Sequence, residues 1–235
     1  MKKGRCIGLI GGLGVGAAVH YYTHIADAFQ KRGVSLDLVM AHAEIPVGMR
    51  YVNAGDRAGL AGYLLGFIQR LAAAGAELAV VPAVTPHYCI HELKAVSPLP
   101  VIDIASPLAI ALASRSIRKV ALFGTRYVME SDFYGLIPGM EFVHPQLPEL
   151  DAIHSTYVEL AGTHRATPEA HARLTSIAQI LINRDHAAAV ILAGTDLTLL
   201  FNETNITFPA IDCAALHIDA IVEASLGGAE TNSSS

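Results

Sequence analysis

Apolar positions in this chain fall either in short unbroken runs or on one-sided helical stripes, and the two kinds alternate from end to end. Residues 5–10 form the first run. Glycines at 11, 12, 14 and 16 end it, and residues 17–31 then read as a helix stopped by Gly33. A second run at 36–41 leads into 42–56, which Pro46, Gly48, Asn53 and Gly55 mark as a loop. Residues 57–74 carry Leu60, Tyr63, Leu64, Phe67, Ile68 and Leu71 on one stripe, the pattern of an amphipathic helix. A strand at 77–81, a short helix at 87–93 and a strand at 101–104 complete the first series. Ser106 before Pro107 predicts a capped helix start.

The pattern then begins again. Strands are predicted at 119–123, 140–143, 187–192 and 209–212, with helices at 129–136, 150–160, 168–183 (capped by Thr167) and 213–225. The runs at 77–81 and 187–192 each break at a small residue and reach a threonine, Thr85 and Thr195. Each has an upstream partner ending in glycine, Gly11 and Gly124, at a similar distance along the chain. The expected fold is therefore α/β, with two pseudo-symmetric lobes, each a parallel sheet flanked by helices, and a ligand cleft between them. Lobe 1 is expected over 1–105 plus a returning helix at 211–226, lobe 2 over 106–210, and a disordered tail over 227–235.

Composition agrees with covered parallel sheets: 52% of residues are hydrophobic and 16% charged. A net charge of −5 without runs of like sign argues against nucleic acid or a membrane as partner. The start of the chain imitates a signal peptide, but its glycines and the helix-forming stretch after them fit strand, turn and helix better. Cys6, Cys89 and Cys213 are too widely spaced for a disulfide framework or a CxxC pair, which suits a reducing cytoplasm. The histidines lack metal-ligand spacing, so no metal is expected.

Ligands of open α/β sheets bind at the carboxyl ends of the strands. Four turns are candidates there: 11–16, 82–88, 124–127 and 193–196. Each offers backbone N–H groups beside a helix start, which favours an anion, and Thr85, Thr125 and Thr195 add hydroxyls. A dinucleotide site is the competing possibility, with Glu44 on a ribose. No frame of the glycine turn completes G-x-G-x-x-G, however, because Val19 stands where the third glycine belongs.

Ile7-Gly8-Leu9-Ile10-Gly11-Gly12-Leu13-Gly14 resembles the opening of the aspartate/glutamate (Asp/Glu/hydantoin) racemase superfamily, the cofactor-independent amino-acid racemases. Pro82-Ala83-Val84-Thr85-Pro86-His87-Tyr88 is similar to that family's Pro-Cys-Asn-Thr-Ala-His-Tyr, and Leu192-Ala193-Gly194-Thr195-Asp196-Leu197 to its Leu-Gly-Cys-Thr-Glu-Leu. Gly124-Thr125 with 129–134, Tyr157-x-Glu159-Leu160, and Ile211-Asp212 with His217 match in order.

The resemblance implies that Ala83 and Gly194 stand where the family has its two proton-carrying cysteines, and Val84 where it has asparagine. Neither Ala83 nor Gly194 can move a proton, so two-cysteine racemisation is excluded by chemistry. Cys89 is expected on a helix facing the core and Cys213 as a small buried hydrophobe, neither a replacement. By the same resemblance, His87, His164 and Asp196 are the candidate acid/base groups. Leu13, Arg50, Ala83, Val84, Thr85, Gly124, Thr125, Gly194 and Thr195 are the candidate substrate-binding set.

Each charged candidate has a plainer alternative. Arg50 reads equally as a solvated loop arginine, His164 as a surface histidine, His87 as a structural one, and Asp196 as a helix-start carboxylate. Three functions stay open: a divergent enzyme acting on a small carboxylate-bearing substrate (isomerase, lyase, decarboxylase or hydrolase type), a catalytically dead small-molecule binder, and a racemase with substitute bases. The family further implies no cofactor, a cytoplasmic location and a homodimer.

Overall fold

The computed structural model describes residues 3–227. The chain divides into two compact units, one holding the described residues up to Asp103 and from His217 onward, the other Ile104–Leu216.

In the first unit, strand β1 (Ile7–Gly11) is buried along its whole length, as a central parallel strand covered on both faces must be. Helix α1 (Val15–Lys31) buries Ala17, Ala18, Tyr21, Ile25 and Phe29, one stripe at helical spacing. Strand β2 (Leu38–His42) follows. Helix α3 (Arg57–Ala73) buries Leu60, Leu64, Ile68 and Leu71, and the Asp56 side chain caps it by accepting from the Gly59 N–H at 2.7 Å. Strands β3 (Leu78–Val80) and β4 (Val101–Ile102) complete a parallel sheet of order β2-β1-β3-β4. The chain leaves β1 to one side and returns to β3 on the other. The strand order therefore reverses between β1 and β3, and their carboxyl ends open the crevice where such sheets take ligands.

The second unit repeats the plan with β5 (Lys119–Phe123), β6 (Glu141–Val143), β7 (Ala189–Leu192) and β8 (Ala210–Asp212), parallel in the order β6-β5-β7-β8. Its switch point lies between β5 and β7. Helices α5 (Ala105–Ser114), α6 (Arg126–Glu130), α7 (Leu147–Thr163) and α8 (Pro168–Asp185) flank this half of the chain. In the first unit α4 (Ile90–Val96) joins β3 to β4. Helix α9 (Cys213–Gly227) is the last element of the described residues, and the division between units falls inside it.

Several expectations need correction. The segment expected as a loop after β2 contains helix α2 (Ile45–Asn53). Pro46 stands in its first turn, where the missing N–H costs nothing, so it starts a helix instead of breaking one. Likewise α5 begins at Ala105, with Ile104 at the N-cap position and no side-chain cap, so Ser106 and Pro107 lie within its first turn. The single helix expected at 129–136 is two pieces. Thr125 caps α6, and Asp132, Phe133 and Tyr134 then take left-handed φ of 52°, 56° and 61° into a 3-10 turn at Phe133–Gly135. Residues 211–216, expected in the first lobe, belong with the second unit, because β8 pairs with β7 through Val190–Ala210, Ile191–Ile211 and Leu192–Asp212. Gly227 ends α9, and the rest of the expected disordered tail lies outside the described residues. No helix of the described residues is long and apolar enough to cross a membrane.

Candidate active site

The first unit's switch point is lined by the turns after β1 and β3. The β1 turn runs through Gly12 and Gly14, with φ of 87° and 141°. A Cβ on Gly12 would lie 2.1 Å from the Ala43 carbonyl oxygen, so only glycine lets the turn lie against the end of β2. Leu13, half-buried, sits between the two.

After β3, Ala83 and Val84 are buried and Thr85, half-buried, opens a 3-10 turn over Thr85–Cys89. His87 holds that turn. It is 1% exposed, and its Nδ1 lies 2.8 Å from the Ala83 carbonyl oxygen. A carbonyl only accepts, so Nδ1 carries the proton and Nε2 keeps its lone pair. Burial lowers the His87 pKa to about 4, which keeps the ring neutral at neutral pH.

Beneath it, His217 of α9 lies 2.8 Å from the Ile102 carbonyl oxygen through Nε2 and 3.0 Å from the Tyr21 hydroxyl through Nδ1. Its proton is therefore on Nε2, and Tyr21 donates to Nδ1. Burial first, and the nearby His87 second, lower the His217 pKa to about 3.

At the second unit's switch point, Gly124 is required by proximity: a Cβ there would stand 2.6 Å from the Ala193 carbonyl oxygen. Thr125 accepts from the Val128 N–H at 3.4 Å, and the first N–H of α6, on Arg126, donates to Nδ1 of His154 at 3.1 Å. Burial, reinforced by the Arg126 charge, lowers the His154 pKa.

Gly194 has an ordinary extended backbone, φ −143° and ψ 115°, that any residue could adopt. What requires glycine is Tyr157 of α7, whose ring carbon Cε2 would stand 2.3 Å from a Cβ at 194. Thr195 and Asp196, each 1% exposed, follow in a 3-10 turn at Thr195–Leu199. The Tyr157 hydroxyl donates to Oδ2 of Asp196 at 3.4 Å. Tyr157 keeps part of its surface accessible, yet its hydroxyl end is enclosed, and burial followed by the Asp196 charge raises its pKa well above 10.

The structure thus gathers Leu13, Ala83, Val84, Thr85 and His87 at one switch point, and Gly124, Thr125, Gly194, Thr195 and Asp196 at the other. Two candidates stand apart. Arg50 is exposed on helix α2, not in a loop, although Gly48 of that helix faces Leu13. His164 is the exposed C-cap of α7 in left-handed conformation (φ 55°), seven residues beyond Tyr157 and so roughly 10 Å along the helix axis.

The three thiols are buried. Burial pushes Cys89 up to about 12 and Cys213 well above its usual value, and Cys213 donates to the Leu192 carbonyl oxygen at 2.8 Å. None is a thiolate at neutral pH. The sequence assigned no role to Tyr21, His154 or Tyr157. Tyr157 was visible only as part of the Tyr157-x-Glu159-Leu160 resemblance, to which no role was attached, because apolar patterning along α7 is blind to the polar tip of an aromatic.

The model of the Asp/Glu/Hydantoin racemase family matches residues 10–221. The chain belongs to the Asp/Glu/hydantoin racemase family. Solved structures agree in fold. A Yersinia pestis protein provisionally assigned as an Asp/Glu racemase has a TM-score of 0.80 at 25% identity, over 94% of this chain and 99% of that one. An aspartate racemase homologue from Pyrococcus horikoshii OT3 has a TM-score of 0.78 at 23% identity, over 96% and 99%. More distantly, unliganded arylmalonate decarboxylase has a TM-score of 0.57 at 12% identity, over 97% and 94%. Among racemase-family folds, then, this chain presents Ala83 and Gly194 at the turns after β3 and β7.

Proposed function

We propose that this racemase-family chain is an enzyme that binds a small carboxylate-bearing substrate at its switch-point turns. It transforms that substrate without a cofactor, by chemistry other than two-cysteine proton exchange: isomerase, lyase, decarboxylase or hydrolase type. The observation that carries the reading is the pairing of retained hydroxyl-bearing turns, at Thr85, Thr125 and Thr195, with alanine and glycine at positions 83 and 194. The hydroxyls and the N–H groups around them suit an oxyanion, before and after charge develops on it. Alanine and glycine can neither give nor take a proton, so the base must come from Asp196 or His87. The neutral His87, with its Nε2 lone pair, and the buried Asp196 are the groups best placed for that role. Arg50 and His164 would act only on a substrate that reaches the surface of α2 or the end of α7. That a neighbour of this fold bears the name of a decarboxylase supports reactions beyond racemisation. We place the chain in the cytoplasm as a homodimer, which light scattering tests.

The absence of thiolates favours one other reading, a small-molecule binder that has lost catalysis. Product formation separates the two. A mass-spectrometric screen of small carboxylic acids should find a consumed substrate, and Thr85→Val and Thr195→Val should each lower kcat/KM for it by roughly 10-fold or more. Ligand-induced stabilisation without turnover would select the binder. Solvent-deuterium incorporation at Cα of aspartate or glutamate would instead reinstate a racemase with substitute bases.

A further inference from the structure

Gly194 is glycine because of Tyr157, not because of its own backbone. Its φ and ψ are those of an ordinary extended residue, yet a Cβ would fall within 2.3–2.9 Å of three atoms of the Tyr157 ring. The same tyrosine reaches Oδ2 of Asp196, two residues further along the turn. Ring and hydroxyl thus act on one short segment, the first fixing residue 194 and the second residue 196. We propose that Tyr157 is the positioning residue of this turn: its ring takes the space of a side chain at 194, and its hydroxyl orients the Asp196 carboxylate as the site's proton acceptor.

Asp196 is 1% exposed, and a buried carboxylate keeps its charge only if hydrogen bonds replace water. The phenol supplies one. The groups facing Tyr157 are Asp196, Cys213 and Tyr134. Cys213 is a protonated thiol committed to the Leu192 carbonyl, which leaves the carboxylate as the anionic member of the set. Tyr134 is delivered by the left-handed stretch after α6, where Asp132, Phe133, Tyr134 and Gly135 all have φ between 52° and 69°. Left-handed backbone is unfavourable for non-glycine residues, and strain of this kind concentrates at functional sites. In the proton-transfer step a C–H bond of the ligand breaks, its proton moves to a carboxylate oxygen of Asp196, and the electron pair stays on the ligand, delocalised toward its carboxylate. Tyr157 keeps its own proton throughout.

The proposal rests on the carboxylate-substrate reading, but its test does not depend on that reading alone. Aspartate labelled with 13C at Cγ, with Asp196→Asn to assign the signal, gives the titration midpoint of Asp196 by NMR in the intact protein. Tyr157→Phe keeps the ring and removes the hydroxyl, so the Asp196 midpoint should rise by about one pH unit. Gly194→Ala touches no ionisable group, yet should produce the same upward shift, because its Cβ displaces the ring that carries the hydroxyl. It also serves if one variant folds poorly. Malonate, whose CH2 lies between two carboxylates, is the probe for the reaction. Wild-type protein should accelerate its exchange in D2O, and the pH at which exchange sets in should move with the Asp196 midpoint in both variants. An Asp196 midpoint unchanged in Tyr157→Phe and Gly194→Ala overturns the proposal. Shifted midpoints without malonate exchange or malonate-induced stabilisation would uphold the positioning role and overturn the carboxylate reading.

Discussion

At the scale of single residues, the glycines of this chain fall into classes that composition cannot separate. Gly12 combines a left-handed φ of 87° with a Cβ position 2.1 Å from a carbonyl oxygen, whereas Gly66, inside α3, has nothing within 4 Å. Gly12→Ala should therefore destabilise by roughly 2–4 kcal/mol through strain and overpacking. Gly66→Ala should stabilise by roughly 0.5–1 kcal/mol, because alanine is the better helix former. Urea unfolding of the two variants checks both signs at once. Both sit in glycine-containing stretches and read alike as letters. The difference is long-range, since the oxygen that excludes a Cβ at 12 belongs to Ala43, on the far side of α1 in sequence. Gly194 teaches the same lesson with a side chain: its partner ring arrives from position 157, and no local pattern announces it.

At the scale of elements, long stripes and buried runs were legible, and the short connections that shape the site were not. Strands β1, β5 and β7 are fully buried or nearly so, and α3 keeps the stripe its sequence shows, because burial on one side or on both leaves a direct trace in residue choice. Helix α2 was hidden because Pro46 and Gly48 are loop signals in isolation, while at the first turn of a helix proline is favourable. The left-handed run at 132–134 was hidden for another reason: aspartate enters that conformation singly, but phenylalanine and tyrosine have no intrinsic preference for it, so the surrounding structure imposes the run. Caps were readable. Thr167 accepts from the Ala170 N–H at 3.1 Å at the start of α8, and Thr167→Ala should cost about 1 kcal/mol in thermal unfolding.

At the scale of the whole molecule, stability should depend on acid through the two buried histidines of the first unit. His87 and His217 have folded-state pKa values lowered from an ordinary 6.5 to about 4 and about 3. The unfolded chain therefore binds more protons than the folded one between those limits, and stability rises with pH across the window. Their contribution is complete above about pH 6.5 and is lost progressively as pH falls toward 3–4, by an amount on the order of several kcal/mol for the pair. His217→Gln should flatten the decline of thermal midpoint between pH 6.5 and pH 4. An unchanged slope would assign the acid sensitivity to other groups.

The same helix that carries His217 has a consequence for the order of events at the ribosome. The first unit's sheet is synthesised before the part of α9 that belongs with it, from His217 onward, whereas the 104–216 stretch is one contiguous piece of chain. Since compact units fold as they become available, the half begun later should mature earlier. The strands of the first unit would then wait for α9, whose Ser225 bonds back to the backbone of Arg5, two residues ahead of β1.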